Sequence, residues 1–96
     1  MATFVVEFRY RVDGAERQTV HPDHVANLRG LADRGVLLLG GPLVDDNGGL
    51  LIYEVADRDE LRAVVDSEPY VKAGFVAESR ILEWQPRMGS WTTVLT

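Results

Sequence analysis

The sequence predicts an α+β fold of the ferredoxin-like type: a four-stranded antiparallel sheet in the order βαββαβ, with two helices on one face. Three observations carry this. Residues 3–12 alternate apolar and polar side chains with the period of a half-buried strand. Two later segments, opening near His21 and Asp57, carry apolar residues at helical spacing between start and stop signals. Between them lie two apolar strands joined by a glycine-rich hairpin.

In Thr3–Val12, Phe4, Val6, Phe8, Tyr10 and Val12 share one face, and Glu7, Arg9 and Arg11 share the other. Asp13-Gly14-Ala15-Glu16 reads as a turn. The first helix begins within HPDHVANL (21–28). Pro22 suits its first position, where a missing N–H costs nothing, His21 falls at the N-cap, and Asp23 complements the positive helix end. Val25, Leu28, Leu31 and Ala32 follow at helical spacing, and Gly35 closes the helix as its C′ residue.

VLLLGGPLV (36–44) is a continuous apolar run, the pattern of a strand covered on both faces. DDNGG (45–49) makes the hairpin because Asn-Gly and Gly-Gly tolerate positive φ, and LLIYEV (50–55) returns. Asp57 and Glu60 form a capping-box pattern opening a helix with Leu61, Val64 and Val65 inward, limited by Pro69. Phe75–Trp84 is the last strand, so residues 1–86 form one domain and residues 87–96 a tail.

At 96 residues the chain builds a single core. A formal charge of −5 argues against a nucleic-acid partner. No segment has the length and apolarity of a membrane span, and the alternating, charged first residues do not resemble a signal peptide, so a cytoplasmic protein is expected. With no cysteine, disulfides and thiolate chemistry are excluded. In the middle strands Leu37, Leu39, Leu51 and Tyr53 alternate with equally apolar neighbours, so the sheet face away from the helices is apolar too. A homodimer packing sheet against sheet covers it, and Trp91, Val94 and Leu95 in the tail are expected to cross onto the partner.

The chemistry centres on His21 and His24, the only two histidines, three positions apart on one helix face. As zinc ligands they would need a third protein ligand, with no cysteine or further histidine to supply it, so no metal is expected. The candidate pairing is catalytic instead. A carboxylate, Glu68 or Asp66, accepts one ring N–H of His24, fixes the tautomer and leaves the other nitrogen as a base. His21, Gly41, Pro42 and Tyr70 are candidate substrate contacts. Glu7, Arg9, Arg11, Glu78 and Arg80 read mainly as a solvated ladder across the first and last strands, the alternative being an arginine that holds an anion in a dimer cleft.

The order of these elements resembles the YciI-like (YCII-related) family over roughly residues 3–86. The matching features are His24 followed by Leu28, then Gly35, Gly41-Pro42, the glycine-rich hairpin, Glu68-Pro69-Tyr70, Gly74 and a closing strand ending in Trp84. The resemblance implies a dimeric α+β barrel with a cleft in each subunit and a His–Asp pair. It also implies kinship with enzymes that remove chloride from chlorinated hydroxyquinols, on a fold shared with muconolactone isomerase. The family histidine falls on His24; its aspartate is replaced by Glu68, and the arginine often found three residues before the histidine by His21. The expected function is a small cofactor-free lyase or isomerase, dehydrochlorinase-like, acting on a small polar or phenolic substrate. The alternative is a non-catalytic dimeric module that binds a small ligand or supports a partner.

Overall fold

The computed structural model describes residues 1–91, so Val94 and Leu95 of the expected partner-crossing tail lie outside the described residues. The strands are β1 (Ala2–Tyr10), β2 (Leu37–Pro42), β3 (Gly48–Val55) and β4 (Val76–Trp84). The helices are α1 (Gly14–Arg17), α2 (His21–Asp33), α3 (Arg58–Asp66) and α4 (Pro69–Lys72). The sheet order is β2-β3-β1-β4 with every neighbouring pair antiparallel, the split βαβ arrangement the sequence predicts.

The alternation in β1 decides the layering. Phe4, Val6 and Phe8 are buried with Leu51, Tyr53 and Val55 of β3 under Leu31 of α2 and Leu61 and Val65 of α3. The Asp57 carboxylate accepts the Glu60 backbone N–H (2.9 Å), while Glu60 reaches back to the Ala56 N–H (3.1 Å) rather than to the cap residue itself.

Three local expectations are corrected and a fourth is extended. β1 ends at Tyr10, where its register on β4 shifts, two residues before Val12. Residues 13–16 are not a simple turn. Asp13 accepts the Glu16 N–H (2.9 Å) and caps the short helix α1. His21 is not the cap of α2: α1 runs almost directly into it, Val20 takes the cap position, and His21 is the first helical residue with Pro22 second. Its imidazole is therefore not spent on capping. Pro69, besides limiting α3, opens the separate turn α4.

Gly35 closes α2 with φ +74°, as expected. In the hairpin the non-glycine residue at positive φ is Asp45 (φ 59°), and the glycines serve close approach instead. A side chain at Gly48 would overlap the carbonyl oxygen of Phe8, and one at Gly49 would stand 2.9 Å from the Tyr10 hydroxyl.

β2 is an edge strand, and in the single chain it is not covered on both faces. Leu38 and Leu39 are about half exposed, at 48% and 47%. The register explains the continuous apolar run. Leu39 lies opposite Ile52, Ile52 opposite Val5, and Val5 opposite Leu82, so one apolar row crosses all four strands on the face away from the helices. Beside it, Glu7 faces Arg80 and Arg9 faces Glu78 as neighbours across β1 and β4. Arg9 also reaches Asp46 at 3.9 Å, an exposed contact of little energetic weight.

Candidate active site

Pro69 determines where the acid goes. The residue before a proline avoids helical backbone, and Glu68 accordingly sits at φ −68°, ψ 128° as the N-cap of α4. Its Oε2 accepts the backbone N–H groups of Tyr70 (2.8 Å) and Val71 (3.3 Å). Oε1 turns the other way and bonds Nδ1 of His24. Glu68 is completely buried, so those donors replace the water its carboxylate gives up.

His24 lies on the first turn of α2 with Nδ1 committed to Glu68, which leaves Nε2 as its free nitrogen. Its ring lies flat on that of Tyr70, with centroids 3.9 Å apart and planes 9° apart. The Tyr70 hydroxyl in turn meets Nδ1 of His21 at 2.9 Å. The two imidazoles have centroids 5.9 Å apart. Tyr70 thus touches all three: its backbone N–H caps onto Glu68, its ring stacks on His24, and its hydroxyl engages His21.

His21, His24 and Tyr70 line a cavity of about 380 Å³, within the range of small-molecule sites, with Glu68 buried behind His24. Gly41 and Pro42, on β2, form part of its wall. His21, His24, Glu68 and Tyr70 are therefore brought together, with Gly41 and Pro42 beside them. Asp66 is not. It stands exposed on the last turn of α3, because the core-facing positions of that helix are Leu61 and Val65. Among the described residues, no three His, Cys, Asp or Glu side chains cluster as metal ligands would.

Three further lining or supporting residues escape the sequence reading. Arg17 of α1 places its guanidinium 4.3 Å from the centre of the Tyr10 ring, and donates to the Val12 carbonyl (2.9 Å) and Asn47 Oδ1 (2.5 Å). Asn47, from the hairpin, donates back to the carbonyls of Tyr10 (3.3 Å) and Val12 (3.0 Å). Tyr10 meets Tyr70 edge to face at 5.5 Å. The available signal was Asp13 three residues before Glu16, an N-cap pattern that makes residues 14–17 helical and puts Arg17 one turn before His21.

Burial pushes the Tyr10 phenol up to about 12, helped by the nearby Glu68 carboxylate. Burial raises Tyr70 as well, and raises Tyr53 further, so all three phenols stay protonated at neutral pH. The Tyr53 hydroxyl is buried with no protein hydrogen-bond partner.

The fold and the cavity define the class: a ferredoxin-like α+β domain, whose structural neighbours are proteins of the dimeric α+β barrel type. The YCII-related domain profile matches residues 3–85, and the chain belongs to that family. Protein YciI of Escherichia coli is 34% identical over 82 residues, covering 74% of this chain and 84% of that protein, and YciI of Shigella flexneri gives the same figures. Among solved structures, 5-chloro-2-hydroxyhydroquinone dehydrochlorinase (TftG) of Burkholderia phenoliruptrix, in complex with 2,5-dihydroxybenzoquinone, superposes with a TM-score of 0.77. Its identity is 25%, over 94% of this chain and 98% of that one. SnoaB, a cofactor-independent oxygenase of Streptomyces nogalater, shares the fold with a TM-score of 0.54 at 19% identity, over 93% and 95% of the two chains.

Proposed function

We propose that this protein is a cofactor-free enzyme moving a proton on a small phenolic, enolic or quinone-like substrate, with His24 as the base and Glu68 as its positioning acid. The observation that carries the reading is the completely buried Glu68 bonded to Nδ1 of a cavity-lining His24. A carboxylate held by two backbone N–H groups and a ring N–H accepts only, so the ring proton stays on Nδ1. Nε2 then keeps its lone pair for the substrate. The Glu68 oxygens are saturated from within the protein, so it orients and polarises without touching substrate. Gly41 and Pro42 wall the pocket, and Arg17 supplies positive charge at its side for an oxyanion.

The likeness to the dehydrochlorinase supports a six-membered oxygenated ring as substrate. The assembly belongs to the same proposal. The row Leu39–Ile52–Val5–Leu82, with Trp84 beside it, fits a second copy of this chain, and the opposed charges of Glu7/Arg80 and Arg9/Glu78 suit a self-complementary contact.

The test titrates 2,5-dihydroxybenzoquinone into the ¹⁵N-labelled protein and follows the imidazole nitrogens, then assays chloride release from 5-chloro-2-hydroxyhydroquinone. Saturable binding that shifts His24 Nε2, and its loss in His24→Gln, is expected. A ligand that leaves both imidazoles unmoved at millimolar concentration overturns the assignment of this cavity and this substrate class.

A further inference from the structure

His21 and Tyr70 make a second pair beside His24 and Glu68, built from different chemistry. Glu68 can only accept, which places the His24 ring proton on Nδ1. The partner of His21 Nδ1 is a phenol at 2.9 Å. A phenolic O–H is the better donor of the two groups, and an unprotonated imidazole nitrogen the better acceptor, so this bond runs from Tyr70 O–H to Nδ1 of His21. The proton of neutral His21 then resides on Nε2. Burial keeps the Tyr70 phenol protonated and so keeps the donor in place. The two rings stand 5.9 Å apart in one cavity with opposite polarity at their free nitrogens.

We infer that His21, held as its Nε2–H tautomer by the Tyr70 hydroxyl, is the electrophilic hydrogen-bond donor of this site and takes substrates whose carbonyl or phenolic oxygen is conjugated with the acidic position. This rests on the reading of His24 as the base. As a C–H or O–H proton passes to Nε2 of His24, the electron pair left behind delocalises onto the substrate oxygen, and the N–H of His21 stabilises the charge growing there. A neutral imidazole suits that task because it donates without being deprotonated in the resting state, the role such a group plays opposite a carboxylate base in an enolising isomerase. No oxidant, reductant or metal enters the balance. Tyr70 is a positioning residue in this scheme, because its hydroxyl is occupied by His21 and its ring by His24.

The experiment is long-range ¹H–¹⁵N spectroscopy of both imidazoles in the full chain at about pH 8, above the ordinary imidazole value of about 6.5. In the wild type the two rings should show opposite patterns: His24 protonated on Nδ1, and His21 on Nε2 with a hydrogen-bonded, unprotonated Nδ1. In Tyr70→Phe, which keeps the ring, the His21 Nδ1 resonance should move to the free-imidazole position while His24 keeps its pattern. Affinity for 2,5-dihydroxybenzoquinone should fall about tenfold through loss of the oriented donor. A wild-type His21 protonated on Nδ1 overturns the inference, and so does an Nδ1 resonance unmoved by Tyr70→Phe. If that variant does not fold, the wild-type spectrum decides alone. Failure of the base assignment has a separate signature: His24 not protonated on Nδ1, whatever His21 shows.

Discussion

Replacing Glu68 by glutamine and by alanine separates what its shape does from what its charge does. Glu68→Ala removes the bond to His24 and the two bonds accepted from the Tyr70 and Val71 backbone. Charge-assisted bonds contribute about 1.5–3 kcal/mol each, and an N-cap about 1 kcal/mol. Against this stands the relief of no longer burying a carboxylate, so the expected net loss is about 3 kcal/mol, at the lower end of what breaking a buried pair costs. Glu68→Gln keeps the volume, and its amide oxygen still caps α4. Its amide nitrogen can only donate, so His24 Nδ1 must become the acceptor and the ring proton must move to Nε2. The expected loss is about 1 kcal/mol, the difference between a charged and a neutral hydrogen bond.

Urea denaturation at one fixed protein concentration, to hold any oligomer linkage constant, measures both. With a slope of about 1.5 kcal/mol/M, Glu68→Ala should lower the midpoint by about 2 M and Glu68→Gln by less than 1 M. The tautomer reversal of His24 in Glu68→Gln is read on the same samples by ¹⁵N shifts. An alanine variant within about 0.5 kcal/mol of wild type, or a glutamine variant as damaged as the alanine one, would refute the reasoning, because each would mean that Glu68 is not the shared acceptor its geometry describes.

Two other expectations follow from the sheet and from the phenols. Ile52→Lys puts a charge in the middle of the row formed by Leu39, Ile52, Val5 and Leu82 while leaving the cavity side of β3 untouched. Light scattering at micromolar concentration should show a dimer for the wild type and a folded monomer for the variant, and a monomeric wild type would remove the assembly from the proposal. The tyrosines set the alkaline limit. Tyr10 is raised to about 12, with Tyr53 and Tyr70 also raised, so above about pH 10 the unfolded chain releases phenolic protons that the native chain retains. Stability is therefore whole below about pH 10 and falls through about pH 12, and absorbance at the tyrosinate band should rise together with unfolding rather than in a separate step near 10. A native protein whose tyrosines ionise freely at pH 10 would contradict that burial.

How much of the fold was legible depends on which interactions set each element. The alternation in β1 is a local consequence of lying over a core, and it gave the right face as far as Tyr10. The Asp57–Glu60 cap is likewise local, and α3 begins where it says. The run VLLLGGPLV misled because period-free apolarity reports burial without saying by what. β2 is an edge strand whose outer side is left open in the single chain, and the run becomes intelligible only when Leu39 is seen in register with Ile52, Val5 and Leu82. Residues 13–16 misled in the opposite direction: a glycine after an aspartate signals a turn, yet the same aspartate satisfies the Glu16 N–H and starts a helix.

The site was legible where one residue type has one use, and illegible where topology supplies the partner. Glu68 could be found because Pro69 fixes its backbone outside the helix, and a carboxylate there caps the turn that follows. Its side chain reaches two backbone donors and an imidazole at once, so the residue that starts α4 also ties that turn to α2. Asp66, two residues earlier, has no such constraint and stays in solvent. His21 entered the candidate site through its spacing from His24, as a substrate contact, while its place in the helix read as the N-cap, a role that would have consumed its ring. Because α1 delivers Val20 to the cap position, that ring is left for Tyr70. Nothing in the spacing of residues 10, 17 and 47 announces that a strand end, a short helix and a hairpin meet beside these histidines. The sheet order brings the hairpin next to the end of β1, and the glycine at 49 leaves the Tyr10 hydroxyl its room. Arg17 then follows from the helix that Asp13 starts, which is why one misread turn hid the cation of the pocket.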